Sequence, residues 1–300
     1  MTILQILVAA RWVHFAGLFV LFGCPLSFLV VRGADKTDAA RIGNSLHRLL
    51  PIIAAAAGIS GLVWIAALIA NMAGSFAEAA TGETLQAFFF ETQFGPIVIV
   101  RLVLLFVAMV VLVLPRNIRF GTWLVVSTGL LINQAWLGHA ANGGASLFGA
   151  LMIGIYAVHV LAAAAWVGGL PVLLFALFSG RRARRADDNA AILSRYSTLA
   201  TGAVTLILLS GVANALFRVH GQFGRLYATG YGDILAIKLL LVALMLGLAS
   251  YNRFIAMPRL GAATPESAPA NLGRSIGAEL ILGVLVIGAA ALLGVTPPPD

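Results

Sequence analysis

Along this 300-residue chain, long apolar stretches alternate with short polar breaks, and eight of the stretches are long enough to cross a bilayer as helices. They run approximately over 3–31, 49–72, 94–114, 120–137, 147–178, 196–217, 232–255 and 275–293. The first and fifth are the longest, and are expected to tilt or to extend beyond the hydrocarbon layer. The pattern predicts an all-α polytopic membrane protein with about eight transmembrane helices.

Two of these segments repeat one arrangement. In the first, Arg11-Trp12-Val13-His14 runs on to Gly23-Cys24-Pro25; in the fifth, Tyr156-Ala157-Val158-His159 runs on to Gly168-Gly169-Leu170-Pro171. Ser60-Gly61 in segment two corresponds to Ser210-Gly211 in segment six, and Gly95 with Arg101 corresponds to Gly232 with Lys238. The chain therefore reads as two four-helix repeats, 1–142 and 143–300. Four is an even number, so both copies enter the membrane from the same side, as a parallel repeat about an axis along the membrane normal.

Composition rules out a soluble domain: 61% of residues are hydrophobic, 10% are charged, and the mean hydropathy is +1.00. In a soluble protein the net charge of +8 would suggest nucleic acid. Here it reports topology, and no nucleic-acid partner is expected. The loops after segments one, three, five and seven carry fourteen Lys and Arg residues, whereas the opposite loops carry only Arg218 and Arg225. The basic loops are thus expected to be cytoplasmic and both termini external. The run from Arg181 to Asp188 reads as a topology anchor that lipid head groups can contact. The external loop between segments two and three is acidic, with Glu78, Glu83 and Glu91. Cys24 is the sole cysteine, which excludes an internal disulfide and any cysteine-cluster metal site. Leu21 to Cys24 faintly resembles a lipoprotein cleavage box, but Arg11 interrupts the apolar run and no Lys or Arg precedes it, so the segment reads as a retained helix.

Ionisable groups at membrane depth are costly and mark sites. At 1.5 Å per residue from the external ends, His14 and His159 lie about 16 to 18 Å deep, near the middle of a layer about 30 Å thick. Met152, His159 and Trp166 follow at i, i+7 and i+14, so a thioether, an imidazole and an indole are expected along one helix face. Imidazole and thioether are natural copper ligands, the thioether favouring Cu(I). The expectation is one two-coordinate Cu(I) site shared by His14 and His159, with Met152 as an outer relay position. A buried histidine bonded to a neighbouring helix is the plainer alternative. His139 and His220, at the external ends of segments four and six, are candidates for capturing metal at the outer mouth. Arg11, Arg101 and Lys238 either snorkel outward or line an outer vestibule. Glu279 lies close in depth to Arg253, which suggests a structural ion pair, with a proton or ion relay as the sharper alternative. No phosphate loop, GxSxG, HExxH or CxxC pattern occurs, so the chain does not read as an enzyme.

The residues from Ala162 to Pro171 (AAAAWVGGLP) with His159, from Gly232 to Leu240 (GDILAIKLL), from Ala249 to Phe254 (ASYNRF) and from Glu279 to Val286 (ELILGVLV), with the tail from Pro297 to Pro299, resemble the copper resistance protein D family of bacterial inner-membrane proteins. The resemblance covers the second half well; the first half shares mainly its helix count and the Trp12/His14 segment. It implies eight helices, location in the inner membrane, and movement of copper ions toward the cytoplasm. It also implies a small periplasmic copper carrier, of the copper resistance protein C type, as an expected donor partner. A b-type haem electron-transfer protein, with the two histidines as axial ligands, stands as the alternative reading.

Overall fold

The computed structural model describes residues 1–33, 36–137, 146–179, 186–219, 229–258 and 268–297. Among these the chain is helical throughout, with no strand: α1 (Ile3–Val31), α2 (Lys36–Ala73), α3 (Phe76–Ala79), α4 (Gly82–Glu91), α5 (Gly95–Val110), α6 (Arg116–Asn133), α7 (Leu147–Val167), α8 (Leu170–Ser179), α9 (Ala186–Val219), α10 (Gly230–Tyr251) and α11 (Ala268–Leu293). Short 3₁₀ turns prolong α5 and α6, and a π-turn over Asn252–Ala256 prolongs α10. Polar residues set several of the starts. Thr2, Ser75, Thr81, Ser146 and Thr229 each accept a backbone N–H of the first turn through their hydroxyls.

Seven helices among the described residues are long and apolar enough to cross a membrane, which makes this an all-α, multi-pass membrane protein. The remaining predicted segment, 120–137, is helical as α6 and its 3₁₀ turn. Arg116, Asn117, Arg119, Thr122, Ser127, Thr128 and Asn133 make α6 more polar than the others. Several elements begin earlier than the hydropathy pattern suggested, α2 at Lys36, α9 at Ala186 and α11 at Ala268 among them, so residues read as loop are helical extensions.

α1 occupies the centre, packed against α2, α6, α7, α8, α9 and α11. α7 and α8 form the most buried of the seven spans and α10 the least. The predicted fifth segment is broken at Gly168-Gly169, and that break is where it crosses α1. A Cβ on Gly23 would run into the carbonyl oxygen of Ala164 and the backbone of Gly168, and a Cβ on Gly168 would run into the carbonyl oxygen of Phe19. The contact is reciprocal: each glycine meets the carbonyl four residues before the other. Backbones approach this closely only where side chains are absent, the usual way membrane helices gain packing when lipid is as apolar as leucine.

Candidate functional site

His14 leaves α1 toward α2 and is fully buried. Small residues on α2 make the room: Ala57 packs against Gly17, and a Cβ added to Gly61 would stand 2.8 Å from His14 Nδ1. Nδ1 lies 2.7 Å from the carbonyl oxygen of Ala57, and Nε2 lies 2.7 Å from Nη2 of Arg101 on α5. A carbonyl only accepts and a guanidinium only donates. The proton is therefore on Nδ1, and Nε2 carries the lone pair, which Arg101 occupies.

Arg101 is fully buried rather than turned out to an aqueous interface. Its Nη1 donates to Asn133 Oδ1 at 3.0 Å and to the Leu130 carbonyl at 3.3 Å, and Asn133 in turn donates to the Ile97 carbonyl at 3.1 Å. The guanidinium carbon stands 4.7 Å from the ring centre of Trp64, a cation–π contact that partly replaces lost hydration. Arg11 is buried as well, over the rings of Phe15 and Trp64. Of the two alternatives for these arginines, exposure at the interface does not describe either: Arg101 is solvated by the Leu130 carbonyl, Asn133 and the Trp64 ring, and Arg11 lies against the Phe15 and Trp64 rings. Lys238, on α10, is half-buried, whereas Arg101 is fully buried.

His159 sits on α7 against α9, half-buried. Its Nδ1 is 3.0 Å from Ser210 Oγ, and the Ser210 hydroxyl donates to the Leu206 carbonyl. Ser210 thus accepts from Nδ1–H, and Nε2 is again the nitrogen with the lone pair. The neighbouring glycine recurs: a Cβ on Gly211 would stand 3.4 Å from His159 Cε1. His14 with Ser60-Gly61 and His159 with Ser210-Gly211 are therefore matched settings on the helix pairs α1/α2 and α7/α9.

His14 is held between α1 and α2 with Arg101 on its Nε2, and His159 is held between α7 and α9 by Ser210. Among the described residues, Glu279 and Arg253, expected as an ion pair, are each bonded to other partners. Glu279 points inward from α11, accepting from Trp166 Nε1 at 2.7 Å and from Asn252 Nδ2 at 3.1 Å. Arg253 reaches Ser197 Oγ at 2.8 Å and Thr201 Oγ1 at 2.6 Å on α9. Equal depth did not imply equal direction around the helix. Trp166 bonds to Glu279 of α11 while His159 bonds to Ser210 of α9, so the two side chains meet different neighbours at different depths along α7. Met152 is buried on α7, seven residues before His159.

His139, Asn142, His220, Arg225 and the loop from Arg181 to Arg185 lie outside the described residues. Among the described residues no group of three or more His, Cys, Asp or Glu side chains is placed to hold a metal ion. The pattern had not singled out Trp64, Ser210 or Asn252 as partners of the charged groups; the signal was a polar or indole group within an otherwise apolar run.

One consequence follows for Arg101. A copper ion at the position expected for it on His14 would compete with the guanidinium for the same lone pair, and two positive charges a few ångströms apart repel strongly away from water. Arg101→Met is expected to tighten Cu(I) binding at His14 by at least about tenfold in a chelator competition. The cost is about 1–3 kcal/mol of stability from the unpaired Asn133 and Leu130 acceptors. Unchanged Cu(I) affinity in a folded Arg101→Met protein would remove Arg101 from the binding equilibrium.

The sequence profile of the copper resistance protein D-like N-terminal domain matches residues 1–148, and that of copper resistance protein D matches residues 190–293. Copper resistance protein D of Pseudomonas syringae pv. tomato is 30% identical over 304 residues, covering 97% of this chain and 96% of that protein. Inner membrane protein YebZ of Escherichia coli is 30% identical over 97% of this chain and 98% of its own length. Copper transport protein CutJ of Bacillus subtilis is 30% identical over 88% of this chain, which spans 48% of that longer protein. No solved structure matches the chain.

Proposed function

The chain belongs to the copper resistance protein D family, and on that premise we propose that it carries copper ions across a bacterial inner membrane, from periplasm to cytoplasm, without transforming them chemically. The observation that carries the reading is the state of the two intramembrane histidines. Each donates through Nδ1 to an oxygen of the next helix and so presents Nε2 as the basic nitrogen. Orienting a histidine ligand through its other nitrogen is how proteins prepare it for a metal.

In this reading copper is the cargo and travels as Cu(I), the ion that imidazole and thioether ligands favour. It occupies His14 and His159 as two positions, one in each half, rather than one shared site. The reciprocal Gly23/Gly168 crossing and the matched Ser-Gly settings support two parallel four-helix halves, 1–142 and 143–300, with eight spans in all. Met152 serves as a relay before His159. Arg11 and Lys238 shape the outer entrance, and His139 and His220 capture the ion there. A periplasmic copper carrier delivers it. Arg101 is the counterweight: by covering His14 Nε2 it keeps binding weak enough for release. Of the two relatives named for copper, one is named for resistance and the other for transport, which supports copper as the cargo.

Membrane vesicles test both cargo and direction. With basic loops inside and termini outside, right-side-out vesicles bearing the protein should accumulate Cu(I) above vesicles lacking it. Accumulation confined to inverted vesicles would reverse the direction, and accumulation in neither would contradict transport.

A further inference from the structure

At the ends of α9, α10 and α11 that adjoin the basic loops, a cavity of about 360 Å³ opens between these helices and α8. Glu279 lines it, 3% exposed, together with Asn252, Ser197, Thr201 and Arg253. Nothing in the transport reading above uses this carboxylate. Its two oxygens accept from Trp166 and Asn252, both neutral donors, and no cation is bonded to it among the described residues. Asn252 is 7% exposed, and its Oδ1 has no hydrogen-bond partner. This asparagine opens the π-turn, closed by Met257 N–H donating to the Asn252 carbonyl at 2.9 Å. Single π-turns within helices occur often at functional sites.

An anionic carboxylate and an orphaned amide oxygen side by side are one proton short. If Glu279 takes a proton on Oε2 and the Asn252 amide turns over, Oε2–H donates to Oδ1. The carboxyl becomes neutral, and Trp166 keeps its bond to Oε1. A metal cation fits less well. Both carboxylate oxygens already accept hydrogen bonds, and the Arg253 guanidinium lines the same cavity. The other titratable groups around Glu279 are Tyr196 of α9, whose hydroxyl donates to the Trp166 carbonyl, and Cys24 of α1, whose thiol donates to the Gly168 carbonyl. Neither reaches the carboxylate itself. We infer that Glu279 and Asn252 form a proton-binding site at the inner end of the bundle, loaded through the cavity beside Arg253. Its use in coupling copper movement to protons rests on the transport reading; the proton site does not.

Infrared difference spectroscopy on the full-length protein, after pH jumps in H₂O and D₂O, tests the site directly. The expected result is a carbonyl band of a protonated carboxylic acid, shifted by D₂O, that is absent in Glu279→Gln. In Asn252→Leu the band should persist at a changed frequency, because its partner is gone. If Glu279→Gln does not fold, the Asn252→Leu shift decides. A band unchanged in both variants, or no titrating carboxylic acid band in the wild type, overturns the site. Loss of the band on adding sodium or potassium would also overturn it, in favour of a metal cation. The vesicle experiment is independent of all these outcomes, so failure of the proton site leaves copper transport standing, and the reverse.

Discussion

Gly168→Ala is expected to remove most of the folded protein, and Gly23→Ala to do the same, although each adds only a methyl group. In both cases the new carbon collides with main-chain atoms of the partner helix: the Phe19 carbonyl in one, the Ala164 carbonyl and Gly168 in the other. A side chain can rotate away from such a clash; a backbone carbonyl moves only if α1 and α7 separate. Overpacking a core costs about 1–3 kcal/mol and occasionally more. A clash that only separating two backbones can relieve belongs with the larger cases, at a cost comparable to the whole stability of ~5–15 kcal/mol. Gly154→Ala on the same helix is the control, since a Cβ there meets nothing within 4 Å. Its effect should be neutral or slightly stabilising. Detergent size exclusion and thermal melting read the difference. A Gly168→Ala protein as abundant and stable as Gly154→Ala would mean that the two helices are not in close contact.

This crossing was partly legible in the sequence. The matched spacing of His14 to Gly23 and of His159 to Gly168 is visible without coordinates, because main-chain crossings need glycine and tandem copies keep their intervals. The helical, membrane-spanning character was legible for the same kind of reason, since bilayer thickness fixes how long an apolar run must be. Direction around the helix was not. Glu279 and Arg253 lie at similar depth, yet one faces α7 and the π-turn while the other faces α9. His159 and Trp166, seven residues apart, differ by about 10 Å in depth along α7 and so meet different neighbours, Ser210 of α9 and Glu279 of α11. For Arg101, depth alone left snorkelling and an outer vestibule both open. Only the neighbouring chain shows that His14, Asn133 and Trp64 solvate it where it stands.

The second large effect concerns copper stoichiometry. Because each histidine has its own helix pair and oxygen partner, each is expected to act as a separate ligand. His14→Ala should lose one Cu(I) ion of two and leave the His159 position loaded; His159→Ala should do the converse. Their effects on binding should add, as for sites without shared partners. A single bridged ion would behave differently, either substitution removing it entirely. His14→Ala also strips Arg101 of one acceptor inside an apolar bundle, so it should destabilise the protein more than His159→Ala, whose ring is half-buried.

A titration of purified protein with Cu(I) against a competing chelator, under reducing conditions, measures this most directly when carried out on the wild type, both single variants and the double variant. The account predicts two ions per wild-type chain, one in each single variant and none in the double variant. A double variant that binds as much Cu(I) as the wild type would contradict it.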